Sequence, residues 1–158
     1  LAHSMSSRRI FEIKLNGTPV PEAGVNAAIA GEFGVPVVFL SGDQTICEQA
    51  RALLGAIETT AVKQATGFFS ATMMHPEESQ RRIREGVKRG IARRGEVKPY
   101  KMAHPVKMEL TFKDIVNAEL LSYLPGVELV RGNAIIFTAR DMVEASKFIQ
   151  VVMNLSPL

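Results

Sequence analysis

The feature that most constrains the fold is an uninterrupted apolar run at residues 35–40. A run of this length, rich in β-branched residues, is typical of a strand covered on both faces in a parallel sheet. The Asp43 that follows is a suitable N-cap for a helix, and Gly55 is a suitable stop for it before a second β-branched run at 57–62. The pattern predicts a βαβ unit and therefore an α/β fold, with helices flanking a parallel-type sheet.

Elements are also predicted on either side of this unit. A strand at 8–15 ends in an Asn-Gly turn, and a helix of small, mostly apolar residues follows at 22–33. Residues 64–74 show no periodicity and are predicted to form a loop. Pro76 then opens a helix that runs to about residue 94.

The sequence of the C-terminal third predicts a separate small module. Residues 106–113 alternate strictly between apolar and polar, which indicates a half-exposed strand. The remaining elements, in chain order, are a helix at 114–124, strands at 127–130 and 134–138, and a helix from 141 to about 153. Residues 104–158 are therefore expected to form a compact βαββα module.

Composition excludes several classes of protein. The 158 residues are 46% hydrophobic, which suits a packed domain, and a single cysteine, Cys47, rules out an internal disulfide. The sequence contains no apolar run of about 18 residues and no secretory signal, so we expect a cytoplasmic protein without a membrane partner. Glycine-rich phosphate-binding sequences, G-x-S-x-G and H-E-x-x-H are all missing from it.

Positive charge is concentrated in one segment. Residues 77–101 contain nine Lys or Arg and four Glu, a charge of +5 in a chain whose net charge is +3. The basic helix at 77–94 could contact nucleic acid or could be a solvated helix face. We favour the solvated face and expect no nucleic-acid partner, because no aromatic residues are interleaved and Gly86 and Gly90 would weaken a recognition helix.

Glu22 is the most informative acidic residue. It stands at the start of a helix whose other residues are small or apolar, and Asn26 lies one turn later on the same face. A solvated glutamate that complements the helix dipole is the simpler interpretation. The alternative is a site where the carboxylate and amide oxygens face a hard metal ion or a substrate amine.

The three histidines are far apart in the sequence. His75 and His104 each precede a proline, which favours extended backbone at element boundaries and a structural role. His3 lies in a polar, serine-rich segment ahead of the first strand, where a functional role is as plausible as a structural one.

Seven short segments occur in a fixed order along the chain. They are H-S-M-S-S at 3–7, L-N-G at 15–17, E-A-G-V-N-A-A-I-A-G at 22–31, G-V-P-V at 34–37, S-G-D at 41–43, A-V-K at 61–63 and H-P at 75–76. Taken together, they resemble the DppA-type zinc D-aminopeptidase family. The resemblance is densest over residues 3–76 and weakens to a shared pattern of elements after residue 100.

The resemblance implies a homo-oligomeric enzyme that uses two zinc ions to remove D-amino acids from short peptides such as D-Ala-D-Ala. It implies that Glu22 is a zinc ligand and that His3 is catalytic, bonding the reaction intermediate or passing a proton to the leaving amine. Asn26, beside Glu22, is the candidate for substrate binding.

The family's S-x-D-x-E-G segment and two ligand histidines have no counterpart in these 158 residues. We therefore expect a fragment whose remaining zinc ligands lie in a missing N-terminal half and which is inactive alone. Residues 1–103 would be the C-terminal part of the catalytic domain, and 104–158 a module for oligomer assembly. The alternative is a non-catalytic assembly or binding module that reuses the same fold.

Overall fold

The structure, a computed structural model, describes residues 5–154, which form an α/β fold with two sheets and five helices. The strands are β1 (Ile10–Leu15), β2 (Thr18–Pro19), β3 (Phe39–Asp43), β4 (Glu58–Ala65), β5 (Ala71–Met73), β6 (Val106–Phe112), β7 (Val127–Arg131) and β8 (Ala134–Ala139). The helices are α1 (Glu22–Glu32), α2 (Gln44–Leu54), α3 (Pro76–Ala92), α4 (Ile115–Ser122) and α5 (Met142–Asn154). The predicted α/β class and the order of the C-terminal elements are confirmed.

The larger sheet is antiparallel and has the strand order β2-β1-β6-β8-β7. Its first hairpin turns at Asn16 and Gly17, whose φ angles of 49° and 82° suit an Asn-Gly pair. On β6, the predicted alternation holds for Met108 and Leu110, which are fully buried. Thr111 was expected on the exposed face but is only 7% exposed, and Arg131, from the far strand of the sheet, donates a 3.2 Å hydrogen bond to its hydroxyl oxygen.

Strand β1 pairs with β6, so the sheet joins residues from both of the predicted domains. The proposed division at residue 104 remains a prediction. Helices α1 and α5 contribute buried side chains to the same main core as β1, β6 and β8, among them Val25, Ala28 and Ile149. Helix α1 is therefore held in the larger core close to its start.

The smaller sheet contains the predicted βαβ unit, since β3 and β4 are parallel and α2 connects them. Asp43 caps α2 as expected, accepting a hydrogen bond from the Ile46 amide at 2.8 Å. The strand prediction at 35–40 was wrong in its start, because β3 begins only at Phe39, and Phe39 and Leu40 are half-buried. Pro36, which has no amide hydrogen, lies in the irregular segment before the strand.

The loop predicted for residues 64–74 is present at 66–70, and the prediction was wrong for the strand residues on either side of it. Strand β4 continues to Ala65, and β5 pairs with it antiparallel through Lys63 and Met73, Gln64 and Thr72, and Ala65 and Ala71. Every residue from Lys63 to Met73 is exposed, so neither face of this hairpin needs an apolar side chain. A strand of this kind leaves no alternation in the sequence.

Helix α3 packs closely on the smaller sheet through two glycines. A Cβ atom at Gly86 would lie 2.4 Å from the Phe39 ring, and one at Gly90 would lie 2.6 Å from the carbonyl oxygen of Val38. These glycines therefore allow close helix-to-sheet contact. No helix within residues 5–154 is long and apolar enough to cross a membrane.

Candidate functional site

A cleft of about 360 Å³ lies where the start of α1 meets the smaller sheet. Helix α1 supplies Glu22 and Asn26, while the end of β3 and the start of α2 form another wall and β4 contributes Lys63. Ligands of α/β proteins commonly bind at the carboxyl ends of parallel strands, which is where β3 and β4 meet this cleft. The full lining is Glu22, Ala23, Asn26, Leu40, Gly42, Asp43, Thr45, Ile46, Gln49 and Lys63.

The structure brings together Glu22 and Asn26, the two candidates from α1. Glu22 is the first residue of the helix and is half-buried, and its Oε2 accepts a 3.2 Å hydrogen bond from the Met5 amide. Asn26 is exposed and lies one turn later on the wall of the same cleft. An oriented carboxylate and a nearby amide therefore face one space, while their roles stay predictions.

The turn from β3 into α2 shapes the opposite wall. Asp43 ends the strand and caps the helix. At Gly42, the residue before it, there is no room for a side chain. A Cβ atom at Gly42 would lie 2.5 Å from the Cγ2 atom of Ile46. The S-G-D segment thus allows the strand to turn sharply into the helix, with Asp43 left beside the cleft.

The histidines do not assemble at the cleft in the described part of the chain. His3 lies outside the described residues, although Met5, two positions after it in the sequence, contacts Glu22. His75 is exposed at the start of α3, and the His104 ring lies 3.0 Å from Oε2 of Glu32. That oxygen also accepts a hydrogen bond from the Met142 amide at 3.1 Å, so His104 belongs to a contact between the ends of two helices.

Comparisons with known proteins all point to one family. A family model for D-aminopeptidases matches residues 1–151. The chain belongs to the D-aminopeptidase family. It is 30% identical over 156 residues to a D-aminopeptidase of Bacillus subtilis, covering 96% of this chain and 57% of that protein.

A solved structure agrees with this assignment to the family. Described as the Zn-dependent D-aminopeptidase DppA from Bacillus subtilis, a self-compartmentalizing protease, it superposes with a TM-score of 0.91 at 29% identity. The match covers 97% of this chain and 56% of that one. The chain thus spans a little over half the length of the relatives that it matches.

A zinc ion, as in this D-aminopeptidase relative, would find a partial set of ligands in the cleft. Glu22 and Asp43 carry carboxylates, which are suitable zinc ligands, and one oxygen of Glu22 is already oriented by a main-chain amide. Among residues 5–154 no group of three or more His, Cys, Asp or Glu side chains could hold a metal ion. The described residues therefore fit one side of a metal site.

The basic helix, α3, carries a network of ion pairs. Arg81 and Arg82 bond Glu78, and together they lower the pKa of that carboxyl to about 2, with Arg81 contributing most. Arg89 and Arg93 reach across to Glu58 on β4, at 3.2 and 2.7 Å. Four of the arginines are thus occupied by carboxylates of the same chain.

Sequence reasoning missed Lys63 as a cleft residue and treated Asp43 only as a helix cap. Both lie where parallel strands approach their carboxyl ends, and Asp43 pairs with Lys63 in the sheet register. The predicted βαβ unit was the signal that could have placed them together. Their convergence with α1 could not be read from the sequence, because it depends on how α1 packs against α2.

Proposed function

We propose that this chain forms part of a zinc-dependent aminopeptidase that removes D-amino acids from the amino ends of short peptides, D-Ala-D-Ala among them. The observation that carries the proposal is the position of Glu22, whose oriented carboxylate lines a cleft at the strand ends together with Asn26. Family membership and the zinc dependence of the structural relative support the same chemistry.

In this proposal the residues of the chain have distinct tasks. Glu22 is a ligand of one of two zinc ions, and the remaining ligands come from a segment outside these 158 residues. Zinc, when bound, supplies Lewis-acid chemistry at the peptide carbonyl. Asn26 orients the substrate beside Glu22, and His3 holds or delivers the proton that the leaving amine needs. We place the enzyme in the cytoplasm.

Activity measurements on the zinc-loaded protein, together with the segment that supplies the other ligands, test this proposal. D-alanine release from D-Ala-D-Ala should depend on zinc and fall on the order of 100-fold or more in Glu22→Ala and His3→Ala. Glu77→Ala and His75→Ala, which change an exposed glutamate and an exposed histidine, are matched controls that should retain activity. Full activity in both site variants would refute the assignment.

The 158 residues alone are expected to show no hydrolysis. The reason is that residues 5–154 line the cleft with one side of a metal site. Zinc-dependent D-alanine release by the isolated chain would refute the proposed division of ligands, while leaving the proposed reaction in place.

The proposed enzyme is a homo-oligomer, with contacts from the C-terminal module. Helix α4 exposes Ile115, Val116 and Leu120, and Tyr123 directly after it is also exposed; the exposed fractions of Ile115 and Tyr123 are 61% and 71%. Exposed apolar patches of this kind mark association surfaces, and the structural relative is described as self-compartmentalizing. Leu120→Asp should lower the mass measured by light scattering, whereas Val151→Asp, at an exposed apolar position on α5, should not.

A further inference from the structure

Lys63 lines the cleft, but its ammonium group cannot be a zinc ligand and so has no role in the proposed zinc site. It lies on β4, it is exposed, and it lines the same cleft as Glu22 and Asn26. The other ionisable side chains in the lining, Glu22 and Asp43, are both acidic. Within the described residues, the cleft therefore presents carboxylates together with a single ammonium group.

The ammonium group of Lys63 makes no ion pair with the acidic residues of the described chain, whereas several other cations do. Lys14 bonds two carboxylates on its sheet, and Arg89 and Arg93 bond Glu58. Over residues 5–154 no carboxylate oxygen lies within 4.0 Å of the Lys63 ammonium, not even that of Asp43, its neighbour in the sheet register. Lys63 is thus available to a ligand that enters the cleft.

The size of the cleft limits what such a ligand can be. A volume of about 360 Å³ lies at the lower end of the range of small-molecule sites. In a dipeptide, the terminal carboxylate follows the scissile carbonyl by a single residue, a Cα step of about 3.8 Å. In a cleft of this size, a metal ion held at Glu22 and the ammonium group of Lys63 would face the two ends of one dipeptide.

We propose that Lys63 binds the terminal carboxylate of the substrate and so makes the site selective for dipeptides with a free carboxyl end. This inference rests on the proposed function, and it assigns Lys63 a role in specificity. A lysine suits that role because its ammonium group is a compact charge on a long, flexible chain. The competing explanation is that Lys63 only balances the charge of Asp43 and Glu22.

The test uses the zinc-loaded enzyme, with D-Ala-D-Ala and its C-terminal amide as two substrates of the same size. The unmodified enzyme should prefer the free acid. Lys63→Met should raise KM for the acid about 10- to 100-fold, as expected for losing a charge-assisted contact, while kcat stays within about threefold. Its kinetics on the amide should be unchanged, and Lys63→Arg should restore much of the preference for the acid.

Three results would overturn the inference. In the first, Lys63→Met lowers activity on the acid and the amide equally, as a charge-balancing or structural role would. In the second, the preference for the acid survives the substitution. In the third, the unmodified enzyme hydrolyses neither substrate, which would also refute the proposed function. Thermal melting of Lys63→Met, which changes an exposed side chain, checks that the variant is folded.

Discussion

The two sheets of this molecule differ in how they are stabilised. The five-stranded sheet packs Ile13, Leu15, Met108 and Leu110, all fully buried, against helices α1 and α5. In the described residues, the core of the three-stranded sheet consists of Ala50, Ile57 and Val97, with half-buried neighbours around them. One region therefore supplies most of the apolar burial, while the other exposes much of its surface.

The two walls of the cleft come from these two differently buried regions. Helix α1 belongs to the large core through Val25 and Ala28, yet it presents Glu22 and Asn26 to the cleft. Asp43 and Lys63 come instead from the weakly buried sheet. The proposed metal ligand Glu22 is thus held on a helix of the larger core, while Lys63, proposed to bind the substrate carboxylate, comes from the less buried sheet.

The largest difference between the two regions is expected in the loss of stability when one large side chain is removed from or beside each core. Leu110→Ala, in the larger core, should reduce the free energy of unfolding by about 4 kcal/mol, because it leaves a cavity in a fully buried position. Leu54→Ala, at a half-buried position beside the smaller core, should cost about 1 kcal/mol. Urea denaturation followed by circular dichroism measures both values, and equal losses would contradict the difference between the cores.

The close contact of α3 with the smaller sheet gives the next largest effect. Gly86→Ala should destabilise by about 2 kcal/mol, since the new Cβ atom would lie 2.4 Å from the Phe39 ring and 2.7 Å from the Thr60 hydroxyl. Gly95→Ala is the matched control, because nothing lies within 4 Å of a Cβ atom there. If Gly86→Ala were as stable as the control in the same denaturation experiment, the packing of α3 would be wrong.

Ion pairs on the exposed side of α3 should have the smallest effect. The pKa of Glu78 is lowered to about 2 by Arg81 and Arg82, so the carboxylate stabilises the folded chain above its ordinary pKa of 4.5. That contribution is lost as the pH falls from 4.5 towards 2. Glu78→Gln should melt slightly below the unmodified chain at pH 7, and the gap should close near pH 2.

Glu77→Gln, at an exposed position next to Glu78, is the control for this measurement and should change the melting temperature less than Glu78→Gln does. The gap for Glu78→Gln should also shrink in 1 M salt, because exposed pairs are screened. A gap that stays constant from pH 7 to pH 2 would show that the ion pairs do not stabilise the helix.

Local signals made much of the fold predictable. The βαβ unit, the Asp43 cap, the Asn-Gly turn and the alternation of β6 all act over a few residues, and each was present in the sequence. The pairing of β1 with β6 was not predictable, because it joins residues about a hundred positions apart. The hairpin of β4 and β5 was missed since it is exposed on both faces.

The site was predictable only on one side. Glu22 and Asn26 share a helix face, so their spacing in the sequence was enough to pair them. Lys63 reaches the same cleft from another strand, and nothing in the spacing of Glu22 and Lys63 signals that meeting. Gly86 and Gly90 were taken as weak points of a helix, because the sequence does not show that a ring and a carbonyl approach them.

Diffraction at the zinc absorption edge tests the central claim, that Glu22 forms part of a zinc centre, most directly. Crystals of the zinc-loaded protein, including the segment with the remaining ligands, should show an anomalous peak about 2.0–2.2 Å from a Glu22 carboxylate oxygen. The peak should weaken or vanish in Glu22→Gln. An active protein whose zinc lies elsewhere, with Glu22 outside its coordination shell, would contradict the account.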